Sequence, residues 1–259
     1  MLIALIAGTG IDEMPYFRSA ESTRVQTRFG EADVIHSSVN GHRVLLLARH
    51  GRRHSIPPDK INVKAQIAAL KKCGADRVIG VCAVGSLKAG LGPGSFAVTA
   101  DFIDFTKRGQ HTFFDEPGAP VAHTDFANPY CPEIREALSL ACADCGLAAE
   151  ADVVYIGVDG PRYETPAEIR LFESWGAHVV GMTNVAEAVL AREAGLCYAR
   201  LAIVTNLASA ISPTPLSHDE VRLAMMSCSE KLDAVLMRAI ERMPSEARCG
   251  CRANTALVV

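Results

Sequence analysis

The sequence has no uninterrupted apolar stretch of the roughly 20 residues needed to span a bilayer. It has no marked excess of either charge: 26 Lys and Arg against 29 Asp and Glu leave a formal charge of −3 over 259 residues. The lack of a basic face argues against nucleic acid or an anionic membrane as the main partner. The opening run Met1-Leu-Ile-Ala-Leu-Ile-Ala-Gly8 lacks a basic flank. It is also too short for a signal-peptide core plus cleavage site. It reads as a buried first strand, and the protein as soluble, intracellular and cytoplasmic. There is no internal repeat and no long linker. Gly8-Thr9-Gly10 does not extend to a dinucleotide fingerprint, because the third glycine position holds Glu13. No Gly-Lys-Ser/Thr follows it, so it is not a nucleoside-triphosphate loop. No second cysteine pair with suitable histidines argues for a zinc site, and no metal is expected.

What is present is an apolar, alternating chain. Hydrophobic residues make up 49% of it, enough for a sizeable core. The nine cysteines are an odd number, and most, like Cys82 and Cys197, sit in apolar runs as small buried residues do. Cys142-Ala-Asp-Cys145 has redox-motif spacing but lies mid-helix in the pattern, so it reads as a pair of helix residues. Cys249-Gly-Cys251, in a polar tail, has the spacing of a tight, exposed disulfide.

Strands are expected at 2–7, 44–48, 77–82, 95–99, 153–158, 178–181 and 198–205: short segments rich in Val, Ile and Ala. Helices are expected at 60–73, 132–145, 166–175, 185–194 and 218–242, from apolar residues at three- and four-residue spacing. This alternation predicts an α/β layer structure with a largely buried sheet. One domain over residues 1–243 is expected, followed by a loose tail over 244–259.

Six strand ends carry chemistry. Gly8-Thr9-Gly10 lets backbone N–H groups approach an anion, and Thr9 adds a hydroxyl. Arg49 and His50 follow a buried strand, and a guanidinium fork suits phosphate. Val81-Cys82-Ala83-Val84-Gly85-Ser86 ends a strand in small residues. Gly160-Pro-Arg-Tyr163-Glu164-Thr165-Pro166 offers an aromatic face and a carboxylate before a helix whose first turn holds Pro166. Gly181-Met182-Thr183-Asn184 and Val204-Thr205-Asn206 add a hydroxyl and an amide beside a Ser/Ala-rich loop. Each has an ordinary structural explanation. Their shared placement suits an anion, a planar heterocycle and a sugar together, since open α/β sheets bind ligands beyond strand carboxyl ends.

In this order the motifs Gly-Thr-Gly, Ala-Arg-His-Gly, Ala-Val-Gly-Ser-Leu, Gly-Pro-Arg-Tyr-Glu-Thr-Pro-Ala-Glu and Val-Val-Gly-Met-Thr-Asn-Val-Ala-Glu-Ala resemble the trimeric purine nucleoside phosphorylase and methylthioadenosine phosphorylase family. The resemblance runs from Leu2 to about Arg242. It implies a single α/β domain around a mixed, partly barrel-like central sheet flanked by helices, and a homotrimer with sites near subunit interfaces. It implies a pentosyltransferase that uses inorganic phosphate as co-substrate and needs no cofactor. Phosphate is expected on Thr9, Arg49, His50, Cys82, Ala83 and Thr183. Methylthioadenosine phosphorylases have threonine where Cys82 stands, so Cys82 is expected to offer its backbone. The substrate is expected against Tyr163, Glu164, Met182, Asn206, Ala208 and His218, with His123 reaching a neighbouring subunit's site. Asn206, His50 and Thr183 are the expected catalytic residues.

Relatives that take 6-aminopurines carry aspartate where Asn206 lies. An amide can donate to a 6-oxo group or a bare ring nitrogen. Glu164 can accept the ring N–H of hypoxanthine or guanine, whereas adenine presents an acceptor there. The pair therefore favours inosine or guanosine. His218 suits a 5′-hydroxyl, where methylthioadenosine phosphorylases place an apolar residue. The alternative substrates are methylthioadenosine and methylthioinosine. A nucleoside-binding regulator and a phosphate-independent nucleosidase are less consistent with the full phosphate set.

Overall fold

The computed structural model describes residues 1–8, 21–51, 54–107, 112–209, 211–253 and 255–258. The strands are β1 (Ile3–Ala7), β2 (Ser22–Thr27), β3 (Gly30–Val39), β4 (His42–Ala48), β5 (Arg77–Ser86), β6 (Phe96–Asp104), β7 (Val121–Thr124), β8 (Ala149–Gly157), β9 (Val179–Gly181), β10 (Cys197–Leu207) and β11 (Thr255–Val258). The helices are α1 (Val63–Lys72), α2 (Pro132–Asp144), α3 (Pro166–Ser174), α4 (Asn184–Glu193), α5 (His218–Ser227) and α6 (Ser229–Arg242).

Nine strands form one mixed sheet in the order β10-β6-β8-β9-β5-β1-β4-β3-β2, and β10 also pairs with β5. That extra pairing closes β5, β10, β6, β8 and β9 into a five-stranded, barrel-like ring. The other four strands extend from β5 as an open arm. The expected partly barrel-like sheet is therefore present. β1 is buried at every position and β10 at all but its last. This explains why their sequences run apolar without alternation. The β2–β3 hairpin was not expected. It is half exposed, and polar residues such as Ser22, Thr23 and Arg24 hide it from a search for apolar runs.

β5 places the site. β10 pairs with it along its whole length, from Arg77 to Ser86, and so occupies one edge. The other edge is shared. β1 holds Arg77–Gly80, and β9 holds Gly85 and Ser86. Between them, residues 81–84 have no strand on that side, and the backbone is open to other partners.

Helix starts follow their sequence signals. Asn62 caps α1, Ser217 caps α5, and Thr165 with Glu168 forms a full capping box on α3. The single helix expected over 218–242 is two helices meeting at Cys228. There the hydroxyls of Ser227 and Ser229 bond back to the carbonyls of Ala224 and Met226, both at 2.8 Å, which competes with a continuous ladder.

The loose tail expected from Pro244 is instead folded back. The Arg248 N–H donates to Glu133 at 2.6 Å, Arg252 donates to Asp76 at 2.8 Å, and Cys251 is buried. β11 pairs antiparallel with β7. Cys142 lies in α2 and Cys145 caps it, both as free thiols, as the helix reading required.

On the β5–β10 face, Tyr198 and Arg200 stand beside Val78 and Gly80 in parallel register. A methyl at Gly80 has no room: it collides with the Tyr198 hydroxyl, and its other neighbours are Tyr198 Cζ at 3.1 Å and Glu187 Oε2 at 3.3 Å. Gly80→Ala is expected to destabilise the fold by about 1–3 kcal/mol through overpacking. That corresponds to a fall in Tm of roughly 2–10 °C. An unchanged melting curve in differential scanning calorimetry contradicts this packing.

Candidate active site

The carboxyl ends of β1, β4, β5, β9 and β10 converge on one cleft. Gly8, Arg49, His50, Cys82–Gly85, Val180–Thr183, Thr205 and Asn206 line it from the sheet side. Tyr163 and Glu164 join from the loop before α3, and His218 and Val221 from the first turns of α5. The cleft has a cavity volume of about 140 Å³ and is open at its mouth. A concave site with few polar groups at strand carboxyl ends is where α/β proteins bind small ligands.

One wall rests on a buried charge network. The Arg49 N–H donates to the Ala7 carbonyl at 2.8 Å, which fixes the strand end. Its guanidinium is 1% exposed. It donates from Nη1 to the Val81 carbonyl at 2.9 Å, at the open stretch of β5, and from Nη2 to Glu187 Oε2 at 3.1 Å. Its Nε donates to the other carboxylate oxygen. Glu187, in α4, also accepts from the Tyr198 hydroxyl at 2.8 Å and lies 4.0 Å from Arg200 Nη1. Burial pushes the Glu187 carboxyl up, but Arg49 and Arg200 outweigh it and hold the group below its ordinary value.

Arg200 is fully buried. It donates from Nε to Cys82 Sγ and from Nη2 to Thr183 Oγ1, both at 2.8 Å. Its Nη1 has no hydrogen-bond partner among the described residues. Burial raises the Cys82 thiol above its ordinary value, and Arg200 opposes that rise. Two guanidiniums and one carboxylate leave one net positive charge behind the cleft wall.

Thr183 is the N-cap of α4 but makes no side-chain cap; its hydroxyl serves Arg200 instead. The helix N-terminus therefore adds backbone donors to the same wall. His50 is mostly buried, with Nδ1 2.9 Å from the Ile56 carbonyl. That contact fixes the proton on Nδ1 and leaves Nε2 as an acceptor in the neutral ring. Burial first, then Arg49, lowers its pKa to about 4, so the ring is neutral near pH 7. His54 stacks on it at 4.1 Å, and His218 follows His54 at 5.2 Å.

The opposite end holds Glu164 and Asn206. Burial raises the Glu164 carboxyl above its ordinary value. Its loop is fixed on both sides: Ser209 donates to the Glu164 carbonyl, and Arg162 grips Glu168 through two bonds of 2.7 and 2.8 Å. Arg162 and the Thr165 N–H in turn hold Glu168 down at about 2. Gly160, at φ +66°, packs closely on Met182 Sδ, which ties this loop to the Met182 side of the cleft. Asn206 sits at a register shift in β10, a bulge that re-aims side chains. Its Oδ1 accepts from the Thr205 hydroxyl at 3.0 Å, and its Nδ2 donates to the Leu207 carbonyl at 3.0 Å.

The structure thus brings together Arg49, His50, Cys82, Ala83, Tyr163, Glu164, Met182, Thr183, Asn206 and His218. Thr9 lies outside the described residues. Ala208, expected against the substrate, is instead fully buried among Leu87, Ile169 and Phe172, and its N–H donates to Ser86 at 2.8 Å. The turn after the bulge carries it beneath the cleft. His123 lies exposed on β7 and does not line this cleft. The sequence reading missed Glu187 and Arg200. A charged residue within each buried apolar run, Cys197–Leu207 and Asn184–Glu193, was the available signal, since such residues are rarely fully buried unless paired.

Residues 2–241 match the family model described as the phosphorylase superfamily. The chain is 43% identical over 252 residues to a probable 6-oxopurine nucleoside phosphorylase of Dictyoglomus turgidum, covering 97% of this chain and 95% of the relative. It is 42% identical over 251 residues to a probable S-methyl-5′-thioinosine phosphorylase of Methanocaldococcus jannaschii, covering 97% and 96%. A methylthioadenosine phosphorylase from an antarctic soil metagenomic library superposes with a TM-score of 0.91 at 33% identity, over 99% of this chain and 92% of that one. With its five-stranded ring, its cleft and near-full-length similarity, the chain belongs to the phosphorylase superfamily.

Proposed function

We propose that the enzyme cleaves purine nucleosides with inorganic phosphate, releasing the base and ribose 1-phosphate, and prefers the 6-oxopurines of inosine and guanosine. The observation that carries this reading is one cleft with a cationic wall at one end and the Glu164–Asn206 pair at the other. Relatives named for 6-oxopurine nucleosides and for methylthioinosine agree with the base; both names denote a 6-oxo ring.

In this mechanism phosphate rests on Arg49, His50, the Ala83 backbone, Thr183 and the N-terminus of α4, with Thr9 completing the set. Cys82 lacks the hydroxyl of its threonine counterparts. Its thiol is engaged by Arg200, whose guanidinium places positive charge behind that position. The neutral His50 offers Nε2 to the single hydroxyl of hydrogen phosphate. A phosphate oxygen bonds to the anomeric carbon as the C–N glycosidic bond breaks, and the bond's electron pair leaves with the purine. Positive charge developing on ribose is stabilised by the phosphate dianion. Negative charge on the purine is stabilised by Asn206 donating at the 6-oxo or ring-nitrogen edge, while Glu164 accepts the ring N–H. Preorganised groups at developing charge are the largest usual source of rate, and holding phosphate against the anomeric carbon adds to it. Tyr163 covers the base and Met182 the ribose.

His218 at the cleft mouth suits a 5′-hydroxyl. Val221 lines the same end and gives a thioether an apolar neighbour, which keeps methylthioinosine as the second reading, ahead of methylthioadenosine. The reaction needs no cofactor. We place the enzyme in the cytoplasm as a homotrimer in which His123 of β7 completes a neighbour's site. No described helix is long and apolar enough to cross a membrane.

Purified enzyme is expected to release hypoxanthine from inosine only with phosphate present. In a panel with guanosine, adenosine, methylthioadenosine and methylthioinosine, the 6-oxopurines are expected to give the higher kcat/KM. Release without phosphate, or a clear preference for methylthioadenosine, overturns the reading.

Glu164 accepts the ring N–H most strongly when ionised, and burial raises its pKa. kcat/KM for inosine should therefore fall as pH drops through a value above the ordinary glutamate range. Glu164→Gln is expected to lose roughly 10- to 100-fold, the equivalent of ~1.5–3 kcal/mol for a hydrogen bond to a charged group. It should also flatten that acid limb; a pH–rate profile identical in shape to wild type counts against the role.

Light scattering is expected to give three times the 27.7 kDa chain mass. His123→Ala should raise KM for nucleoside without changing that mass; a monomeric, fully active enzyme refutes the shared site.

A further inference from the structure

Far from the cleft, four cysteines converge that no sequence spacing connects. Cys131 is the N-cap of α2, Cys197 opens β10, and Cys249 and Cys251 lie in the C-terminal segment. Their four Sγ atoms all lie within 4.8 Å of one another. Cys249 Sγ is 3.4 Å from Cys197 Sγ and 3.6 Å from Cys131 Sγ. Three of the four residues are buried and the fourth is half-buried.

The backbone sets this arrangement. The Cys131 N–H donates to the Tyr198 carbonyl at 2.7 Å, which puts the cap of α2 beside the start of β10. The Cys197 N–H donates to the Asp76 carbonyl at 3.2 Å. On the C-terminal side, the Arg248 N–H bonds Glu133 of α2, and the Arg252 guanidinium bonds Asp76. These two contacts bracket Cys249-Gly250-Cys251 and deliver both thiols to the other pair.

We propose that Cys131, Cys197, Cys249 and Cys251 bind one zinc ion as a tetrathiolate. A tetrahedron with Zn–S bonds of about 2.3 Å has sulfur–sulfur edges of about 3.8 Å, and the two separations above lie close to that. A disulfide needs about 2.05 Å, and each of the four sulfurs has three sulfur neighbours rather than one. Four soft ligands in a compact, mostly buried cluster are the donor set of structural zinc. Binding displaces four thiol protons to solvent and leaves a net charge of −2 on the centre. Arg192, buried and near enough to act on Cys251, provides part of the compensating charge. The ion fastens the C-terminal segment to the starts of β10 and α2, and so holds in place the approach to β11, which pairs with β7. This site stands apart from the cleft and does not depend on the proposed activity.

The test uses the full chain, purified under reducing conditions from zinc-supplemented medium and dialysed free of loose metal. Elemental analysis is expected to give about one zinc per chain. Thiol titration of the folded protein should show the four cysteines protected until zinc is released by a mercurial. Exchange for cobalt(II) should produce the intense visible bands of tetrahedral thiolate coordination. Cys251→Ser, in the terminal segment, should lose most of the zinc while the fold stays intact by circular dichroism, and trypsin should then cleave after Arg248 or Arg252 far faster than in wild type. Should that variant fail to fold, a chelator-treated wild type serves for the same protease readout. Wild-type protein with no stoichiometric zinc and freely titrating thiols overturns the proposal. So does a mass deficit and peptide map showing disulfides among the four.

Discussion

The carboxylate of Glu187 is the interaction on which the site depends. It gathers three otherwise separate elements: the arginine after β4, the start of α4, and the Tyr198–Arg200 face of β10. Burying a carboxylate costs several kcal/mol unless its oxygens are matched by donors, and here two arginines and a tyrosine surround it. One acceptor shared by two guanidiniums is deliberately unequal. Arg49 is well bonded, while Arg200 reaches the carboxylate only at 4.0 Å through Nη1 and turns Nε and Nη2 toward Cys82 and Thr183. A structural ion pair would be balanced; this one leaves positive charge next to an open cleft.

The network is reachable only because β5 changes neighbours. A strand paired on both edges would have used the Val81 carbonyl in the ladder. With β1 ending at Gly80 and β9 beginning at Gly85, that carbonyl is available to Arg49, and residues 82–84 face the ligand space. Closing the barrel and opening the site are therefore one event. β9 can pair with β5 antiparallel only by crossing the place where β1 stops. The small residues of this stretch are required by the crowding there; a methyl on Gly85, for instance, lies 3.2 Å from Asn206 Nδ2 and 3.3 Å from Val180.

How legible this was in the sequence varies with the range of the interaction. Buried strands such as Ile3–Ala7 show as apolar runs, and the polar residues that end them abruptly mark the cleft; these are local signals. The β2–β3 hairpin was hidden because its outward face is polar and its pattern weak. The break at Cys228 was hidden because serine back-bonding leaves apolar spacing unchanged. Ala208 came from the resemblance alone, and no local pattern shows that the turn after Leu207 buries it. Glu187 and Arg49 lie 138 residues apart, so the partner that makes each burial tolerable could not be named from spacing. The cysteine cluster fails for the same reason: three chain segments supply its four sulfurs, and only Cys249-Gly-Cys251 has a local signature, which by itself suggested a disulfide.

The two ends of the cleft are built to different standards, and this bears on specificity. At the base end, Glu164 is held by a capping box, an arginine clamp on Glu168 and a serine on its own carbonyl, while Asn206 is fixed by Thr205 and Leu207. A site whose buried polar groups must be matched rejects a base that cannot match them. At the sugar end, His218 is exposed on the first turn of α5, a helix that buries little beyond Met225. A residue there can change without disturbing a core. In the proposed mode of binding, the residues facing the base are constrained by the fold, and those facing the 5′ position are not.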